Sequence, residues 1–466
     1  MRATSGPYIA RVVAEACGGV ILCGDYGAAF DAISTDSRDI KAGDLFVPLK
    51  GTNFDGHKFL FPALEAGARG SLINRDTHRD IHRDLTKSVL IQVQDTLLAL
   101  SDLASAHRMR YPVPLIAVTG SSGKTTVKEM IAAVLARSHR PLISEGNFNN
   151  LIGLPMTVLN LGPKHTAAVV EAGINTPGEM DSLARAALPD VAVITTVGPV
   201  HLEGLGSIEN VAAEKFKITA GLKPGGTVVV PAGNPYLEPL VRACPFRVIT
   251  FGQERGDFSA RNIVYGEQTS FEMRCPTGTH EMHLPVPGRH NVANALAAAT
   301  AAWAIGIPLK EIAETLSGFV PPAWRMEMLP LPKDRVLIRD CYNANPQSVR
   351  AALEVLASRV RGSRTLAILA DMMELGDSSA NLHRQIGKDA AELNVNHVIF
   401  VGQFGTFFAE GYLSAGGDAG SVTLVPDKEA AWDAIASHVE SYGTILVKGS
   451  RLMKMETLAN LILGEN

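Results

Sequence analysis

The stretch Val118-Thr-Gly-Ser-Ser-Gly-Lys-Thr-Thr126 decides the fold, because it joins two segments of different periodicity. The apolar run 114–118 before it is typical of a strand buried on both faces. After it, residues 125–136 place apolar side chains at helical spacing. A glycine-rich turn between a buried strand and a helix predicts a phosphate-binding loop. A chance glycine turn is the weaker alternative in this context.

The residue types of this loop suit a nucleoside triphosphate. Gly120 and Gly123 allow backbone N–H groups to close around phosphate oxygens at a helix N-terminus. Lys124 would add a positive charge to the phosphates, and the Thr125 hydroxyl would bind Mg²⁺. The spacing is shorter than the general G-x-x-x-x-G-K-[ST] pattern, because position 118 is valine. The loop therefore predicts nucleotide binding but does not say what the nucleotide is used for.

Length and composition predict a multidomain globular protein. The chain has 466 residues, of which 46% are hydrophobic and 19% charged, and this length suggests about three domains. A net charge of −4 gives no electrostatic indication of nucleic-acid binding. The five cysteines are scattered without C-x-x-C spacing, which favours reduced thiols in the cytoplasm over disulfides or a zinc site.

No secretory signal and no membrane insertion are predicted. The first twenty residues lack a long apolar core behind a basic start. The uncharged stretch between Arg289 and Lys310 is rich in alanine and contains asparagine, glycine and proline, so a buried helix is the better interpretation. We expect a cytoplasmic protein.

Alternating strand and helix patterns predict α/β domains with parallel sheets. The stiff Val320-Pro-Pro322 connection suggests a boundary, giving domains 1–107, 108–322 and 323–466. The clearest predicted strands are 167–170, 191–194, 227–230, 335–338, 366–369, 398–401 and 444–447. Shorter strand and turn units are predicted within 33–38, 44–49 and 70–73. Predicted helices are 8–17, 346–357, with Asn345 as its N-cap, and 380–393.

Of three further polar residues, two have alternative interpretations and one has a default. Glu171 follows a predicted strand, where a carboxylate can hold Mg²⁺ or simply cap a nearby helix. His201 suits a metal ligand or an ordinary loop histidine, and Lys215 is by default a solvated helix lysine. Neither His201-x-Glu203 nor His280-Glu-Met-His283 has the partners or spacing of a zinc site.

Taken together, the motifs closely resemble the Mur ligases, the ATP-dependent amide-forming enzymes of bacterial cell-wall precursor synthesis. The features that carry the resemblance run nearly end to end: Ser34-Thr-Asp-Ser-Arg38, Leu45–Gly51, Thr119–Met130, Asn147–Pro155, Glu171–Glu179, His201–Gly204, Gly288–Asn294, Tyr342–Pro346 and Lys448–Arg451. The resemblance implies a central P-loop parallel-sheet ATPase domain, an N-terminal α/β domain for a nucleotide sugar and a C-terminal Rossmann-like domain.

The resemblance also implies roles in binding ATP and magnesium. The implied ATP-binding residues are Gly120, Ser121, Ser122, Gly123, Lys124, Thr125, Thr126, Asn291, Asn294, Arg325 and Asp340. The implied magnesium ligands are Thr125, Glu171, His201 and Lys215, the last as a carbamate. Lys124, Lys215, His201 and Glu171 would form the catalytic group.

Further residues are implied to bind the other two substrates. The first domain would meet the uridine nucleotide through Thr35, Asp36, Ser37, Arg38, Lys50 and His57. Asn149, Asn150 and Thr157 would lie near the reacting peptide end. Asn343, Asn345, Lys448 and Arg451 would bind the incoming dipeptide.

Within the family, the motifs are most similar to members that add D-alanyl-D-alanine to UDP-N-acetylmuramoyl-tripeptide. Tyr342-Asn-Ala-Asn-Pro346 favours these over the members that add the third amino acid to the dipeptide precursor. A nucleotide-hydrolysing switch is an alternative of a different class. We expect small-molecule substrates only, with no nucleic acid, and a monomer.

Overall fold

The computed structural model describes residues 1–51, 54–76, 88–266, 268–359 and 364–465. They form two compact units. The first unit comprises Met1–Thr119, Ser138–Val193 and Glu214–Val228, and the second comprises Gly120–Arg137, Ile194–Ala213 and Val229–Asn466.

The strands within these ranges follow in chain order. They are β1 (Arg2–Ala3), β2 (Tyr8–Ile9), β3 (Val20–Cys23), β4 (Ala29–Phe30), β5 (Ile33–Ser34), β6 (Leu45–Phe46), β7 (Gly70–Asn74), β8 (Val89–Val93), β9 (Leu115–Thr119), β10 (Pro141–Ile143), β11 (Ala167–Glu171), β12 (Val191–Ile194), β13 (Thr227–Pro231), β14 (Arg247–Gly252), β15 (Phe258–Val264), β16 (Thr269–Cys275), β17 (Gly278–Leu284), β18 (Glu327–Leu331), β19 (Arg335–Arg339), β20 (Arg364–Ala370), β21 (His397–Val401), β22 (Val422–Val425) and β23 (Tyr442–Lys448).

The α-helices connect these strands. They are α1 (Ala10–Ala16), α2 (Leu60–Glu65), α3 (Thr96–Arg110), α4 (Lys124–Ser138), α5 (Gly153–Val158), α6 (Glu179–Ala187), α7 (Leu202–Leu205), α8 (Ile208–Phe216), α9 (Glu238–Arg242), α10 (Arg289–Ala304), α11 (Leu309–Leu316), α12 (Pro346–Ala357), α13 (Ser379–Glu392), α14 (Gly405–Ser414), α15 (Lys428–Ile435) and α16 (Glu456–Leu463).

The first unit contains a six-stranded sheet in the order β1-β5-β6-β7-β8-β3. Its middle strands β5 to β8 are parallel, whereas the edge strands β1 and β3 pair antiparallel. The predicted helix 8–17 begins only at Ala10, because Tyr8 and Ile9 pair as strand β2 with β4. The predicted unit at 33–38 is strand only over Ile33–Ser34, since the Asp36 side chain caps a 3₁₀ turn at Ser37–Asp39.

Parallel strands β10, β11 and β9 also lie in the first unit, with β12 next to β9. Every residue of β9 and β11 is buried, as their uninterrupted apolar sequences predict. Glu171 is the last residue of β11, so its carboxylate stands at the carboxyl end of a parallel strand. This is the sheet edge where α/β proteins bind ligands.

The second unit contains a six-stranded sheet in the order β18-β19-β23-β20-β21-β22. All neighbouring pairs are parallel except β18 with β19. Along β20, Ala367 and Leu369 pack toward the core formed with α12, α13 and α14, whereas Leu366 and Ile368 pack toward α15 and α16. Helices therefore cover both faces, which is the predicted Rossmann-like arrangement.

Helix α10 forms within the alanine-rich stretch between Arg289 and Lys310, and all its alanines except Ala293 and Ala304 are buried. Among the described residues, no helix is long and apolar enough to cross a membrane.

In the second unit, β15, β16 and β17 form an antiparallel ribbon that includes His280 and His283 on β17.

Candidate active site

The glycine-rich loop has a backbone that only glycine adopts without strain. Gly120 has φ +150° and Gly123 φ +81°, and helix α4 begins at the next residue, Lys124. A methyl group on Gly120 would overlap Thr195 Oγ1, and one on Gly123 would overlap Asn294 Oδ1. The loop is thus closely packed and ends at a helix N-terminus, which fits the phosphates of a nucleotide.

Contacts with the segment after β12 fix the middle of the loop. The Ser121 N–H donates to the Thr196 carbonyl at 2.9 Å, and the Ser122 N–H donates to Thr196 Oγ1 at 3.0 Å. The Ser121 hydroxyl lies 3.2 Å from the Gly198 carbonyl oxygen. These two N–H groups are therefore engaged with protein.

Lys124 Nζ donates to the carbonyl of Gly120 at 2.9 Å. This contact folds the ammonium group over the loop, where a positive charge would meet bound phosphate.

His201 is held by a residue that the sequence analysis missed. Its Nδ1 lies 2.5 Å from Oε2 of Glu374, and the Glu203 N–H donates to the Glu374 carbonyl at 3.4 Å. The hydrogen bond with His201 lowers the pKa of the Glu374 carboxyl group, and the Lys124 charge acts in the same direction. The available signal was position, because Glu374 follows the carboxyl end of β20.

The two asparagines of α10 form one cluster beside the loop. Asn291 Nδ2 donates to the Pro287 carbonyl at 2.8 Å, and Asn294 Nδ2 donates to Asn291 Oδ1 at 3.2 Å. Both are buried, and Asn294 Oδ1 is the atom that excludes a side chain at Gly123. The structure thus brings these two residues, which the resemblance implies bind ATP, next to the glycine-rich loop.

Asp340 and Lys448 form a buried ion pair, with Lys448 Nζ 2.6 Å from Asp340 Oδ2. Lys448 also donates to the Asn343 carbonyl at 3.0 Å, so three predicted site residues share one contact network. Burial lowers the pKa of the nearby His290 to about 4, with Asp340 and Lys448 acting on it in opposite directions.

Aromatic rings hold the two predicted arginines. The Arg325 guanidinium lies 4.1 Å from the centre of the Tyr342 ring, and that of Arg451 lies 5.0 Å from the Trp324 ring. Arg451 also forms an ion pair with Glu456 at 2.8 Å.

The N-terminus of α12 contacts the glycine-rich loop. Asn345 caps the helix in a capping box with Ser348, as predicted, and its Nδ2 lies 3.3 Å from the Ser121 carbonyl oxygen. Gln347, which the sequence analysis did not select, donates to the Val197 carbonyl at 3.2 Å.

In the first unit, the structure brings Glu171 and Asn149 together. The buried Glu171 Oε1 accepts from Asn149 Nδ2 at 2.7 Å. Asn150 Oδ1 accepts from the Gly153 N–H at 2.8 Å, and the Thr157 hydroxyl donates to the Gly153 carbonyl at 2.8 Å. Polar side chains thus order the start of α5.

Lys215 is completely buried in α8, contrary to the default expectation of a solvated helix lysine. The neighbouring Glu214 accepts from the N–H groups of Gly178 and Met180 at 2.8 and 3.1 Å. Burial of a lysine side chain costs free energy unless its amino group is paired, hydrogen-bonded or chemically modified.

In the 34–38 cluster, Ser34 is buried, residues 35–37 are half-buried and Arg38 is exposed. Arg38 makes a two-pronged contact with Asp36 at 2.9 and 2.7 Å, which lowers the pKa of the Asp36 carboxyl well below its usual range. Thr35 is held by its N–H donating to the Met1 carbonyl at 3.2 Å. Ser37 begins the 3₁₀ turn.

His57 is buried and engaged through both ring nitrogens. Nδ1 lies 2.8 Å from Asp55 Oδ1, while Nε2 accepts from the Asn74 N–H at 3.2 Å. Burial raises the pKa of Asp55, but its hydrogen bonds with His57 outweigh this and leave it lowered. The main chains of Lys50 and Asp55 form an isolated antiparallel β-bridge. His57 and Lys50 therefore both contact Asp55.

Among the described residues, no group of three His, Cys, Asp or Glu side chains is arranged to hold a metal by itself. Mg²⁺ is commonly bound by one or two carboxylates together with phosphate oxygens and water. The residues present therefore fit magnesium only as the partner of a bound nucleotide.

Comparisons with known proteins identify the family of the chain. Residues 29–108, 118–302 and 324–451 match the Mur ligase family catalytic domain, the Mur ligase middle domain and the Mur ligase glutamate ligase domain. A Bacillus subtilis relative is 36% identical over 428 residues, covering 91% of this chain and 92% of its own. The chain belongs to the Mur ligase family.

Other members of the family extend this similarity. An Escherichia coli relative is 36% identical over 438 residues, 93% of each chain, and it and the B. subtilis protein are named UDP-N-acetylmuramoyl-tripeptide–D-alanyl-D-alanine ligase. A crystal structure of MurF from Acinetobacter baumannii has a TM-score of 0.90 at 32% identity, covering 99% of this chain and 100% of its own. MurF from Thermotoga maritima in complex with ADP has a TM-score of 0.82 at 26% identity, covering 93% and 97%. The predicted three-domain α/β fold is confirmed.

Proposed function

We propose that this protein is the ATP-dependent ligase that joins D-alanyl-D-alanine to UDP-N-acetylmuramoyl-tripeptide, releasing ADP and phosphate. The observation that carries the proposal is that similarity to ligases of this name extends through all three sections of the chain. The central domain alone would support only a nucleotide-dependent ligase. Addition of the third amino acid is not favoured, because the full-length relatives carry the other activity.

We assign ATP binding to the second unit. The start of α4 would hold the phosphates, with Lys124 and the hydroxyls of Thr125 and Thr126 beside them. Asn291 and Asn294 would hold the adenine end, and Arg325 and Asp340 would contact phosphate and ribose. The two glycines that exclude a Cβ support this assignment, since a tight loop can approach phosphate closely.

Magnesium would offset the charge that develops on the transferring phosphoryl group. We propose Thr125 and His201 as ligands in the second unit. In the first unit, we propose Glu171 as a ligand, with Asn149 holding its carboxylate in place.

Lys215 is proposed to carry a carbamate. Its complete burial is unusual for a lysine side chain. Addition of carbon dioxide to the deprotonated amine, with release of a further proton, would give a carbamate. The product is anionic and would act as a further magnesium ligand.

The proposed chemistry activates a carboxylate, which is a poor acyl donor. The carboxylate of the tripeptide attacks the γ-phosphorus of ATP, forming an acyl phosphate as ADP leaves. The amine of D-alanyl-D-alanine then attacks the acyl carbon, phosphate leaves from the tetrahedral intermediate, and the amine loses a proton. Lys124 would stabilise the charge on the phosphoryl oxygens, while Asn149, Asn150 and Thr157 would position the carboxylate.

We assign the remaining substrate contacts by domain. Domain 1–107 would hold the uridine nucleotide through the 35–38 cluster, Lys50 and His57. Domain 108–322 would bind ATP. Domain 323–466 would bind the dipeptide through Asn343, Asn345, Lys448 and Arg451. We further propose a cytoplasmic monomer, for which sedimentation of the purified protein would give the mass of one chain.

The function is tested by phosphate release across muramyl nucleotides. We expect release only when UDP-N-acetylmuramoyl-tripeptide, ATP and D-alanyl-D-alanine are all present, with one new amide in the product by mass spectrometry. Activity with the dipeptide precursor and a diamino acid would instead identify the rival ligase. Release from ATP alone at the same rate would identify a nucleotide-hydrolysing switch.

A further inference from the structure

The segment Asp371–Gly376, called here the 371–376 arm, leaves the carboxyl end of β20 and reaches the loop that carries His201. Glu374 Oε2 lies 2.5 Å from His201 Nδ1, and the Glu374 carbonyl accepts from the Glu203 N–H at 3.4 Å. Side chain and main chain of the same residue therefore hold both the imidazole and its loop.

Contacts on several sides fix the arm. Asp371 accepts from the N–H groups of Gln403 and Phe404 at 2.9 and 3.1 Å. The Met372 N–H donates to His383 Nε2 at 3.0 Å, and the Met373 N–H donates to Ser450 Oγ at 2.9 Å. The Glu374 carboxylate consequently projects from an ordered support rather than from a free loop.

The backbone at both ends of the contact is unusual. Glu374 has φ +64° and His201 φ +52°, in the left-handed region that side chains other than glycine rarely adopt. Gly376 has φ +54°, and a Cβ there would lie 3.2 Å from Glu203 Cα. Two residues held in strained conformations against each other indicate a specific local requirement.

Folding stability does not explain this arrangement. The Glu374 side chain is 54% exposed, and ion pairs at such positions contribute little to folding. What the contact does fix is the orientation of the ring and which of its nitrogens faces the carboxylate. A carboxylate at Nδ1 keeps the proton on that nitrogen and leaves the Nε2 lone pair for a metal.

We propose that Glu374 is a positioning residue that orients His201 for magnesium binding. The proposal rests on the proposed function, in which His201 is a magnesium ligand. It assigns to the C-terminal domain a part in building the metal site, through a carboxylate that need not touch metal or nucleotide.

The test measures binding of Mn²⁺, used as a spectroscopic substitute for Mg²⁺, from the electron paramagnetic resonance signal of the free ion with saturating ADP. The variants are Glu374→Ala, Glu374→Gln and His201→Asn, because asparagine tolerates the positive φ at position 201. Glu410→Gln is the matched control, since Glu410 is 56% exposed and pairs with Arg384 at 2.7 Å in the same domain.

We expect His201→Asn and Glu374→Ala each to weaken Mn²⁺ binding about tenfold. The double variant should be no weaker than His201→Asn alone, because Glu374 acts through the histidine. Glu374→Gln should lie between wild type and Glu374→Ala, since the amide oxygen still accepts from Nδ1 but carries no charge. Glu410→Gln should match wild type, and thermal midpoints should agree within about 3 °C.

The outcomes separate two failures. If His201→Asn binds Mn²⁺ as well as wild type, the metal role of His201 in the proposed function is wrong, and the positioning role falls with it. If His201→Asn is weakened but both Glu374 variants match Glu410→Gln, the proposed function stands and the positioning role is refuted. Additive losses in the double variant would also refute it.

Discussion

The glycine-rich loop, residues 120–126, and the 371–376 arm each follow a strand of a parallel sheet. Only the loop could be recognised as a candidate site from the sequence. Strands β9 and β20 are mainly apolar and parallel, with every residue buried except Arg364, and each is followed by a segment that contains charged side chains. The loop has a spacing of glycine, lysine and threonine that is typical of phosphate binding. The arm has no such pattern, because its partner is another part of the protein. Position at a strand end therefore indicates function more generally than a motif does.

The largest expected effect is that of a substitution in the glycine-rich loop. Lys124→Ala should lower turnover about 10³-fold, because a charge aimed at the transferring phosphoryl group is lost. Amide formation, measured by mass spectrometry, should fall while circular dichroism stays native. Lys310→Ala, an exposed helix lysine, should retain full activity. Near-normal ligation by a folded Lys124→Ala protein would remove the proposed role.

Lys215 tests a role that the family resemblance implies and to which the structure adds the complete burial of the side chain. Lys215→Ala should lower activity about 100-fold, and short-chain carboxylates such as acetate should restore part of it by replacing the anionic group. Lys217→Ala changes a partly exposed lysine two residues away, which pairs with Asp181 and Glu214, and it should need no rescue. Full activity of Lys215→Ala without added carboxylate would end the carbamate hypothesis.

Two glycines with nearly the same φ distinguish the effect of backbone strain from the effect of close packing. Gly123 has φ +81° and its Cβ position is blocked by Asn294, whereas Gly225 has φ +80° with open space around it. Gly123→Ala should raise the KM for ATP about tenfold, because loop and asparagine must move apart. Gly225→Ala should only reduce stability, by about 1 kcal/mol. Equal KM values for the two variants would show that the packing does not matter for ATP.

The last contrast, between two histidines, concerns the pH dependence of stability rather than activity. Burial lowers the pKa of His107 from 6.5 to about 4, so the unfolded chain binds a proton first as the pH falls. The free energy of unfolding should therefore decrease between pH 6.5 and 4, by on the order of 3 kcal/mol from this residue. Urea unfolding of His107→Gln should show a shallower decrease than wild type. The exposed His283→Gln should follow wild type, and parallel curves for all three would contradict the assignment.

The sequence predicted local structure well where burial and periodicity agree. Strand β12 has the predicted bounds, α12 spans the predicted residues, and Asn345 is its cap. The sequence did not indicate that Glu374 or Gln347 belongs to the site, because their hydrogen-bond partners lie more than a hundred residues away along the chain. The positive φ at Glu374 was equally hidden, since tertiary contacts rather than local preference hold it. The roles of the site residues stay predictions until the variants are measured.

The division of the chain has a consequence for its synthesis. The first unit is assembled from three separate stretches, the last of which ends at Val228. A ribosome must therefore pass this residue before the unit can close, although its opening segment emerges much earlier. Contacts between such distant stretches slow folding, because long loops must be closed before the contacts form. Nascent chains shorter than this would expose unfinished sheet edges, which is the condition under which chaperones are needed.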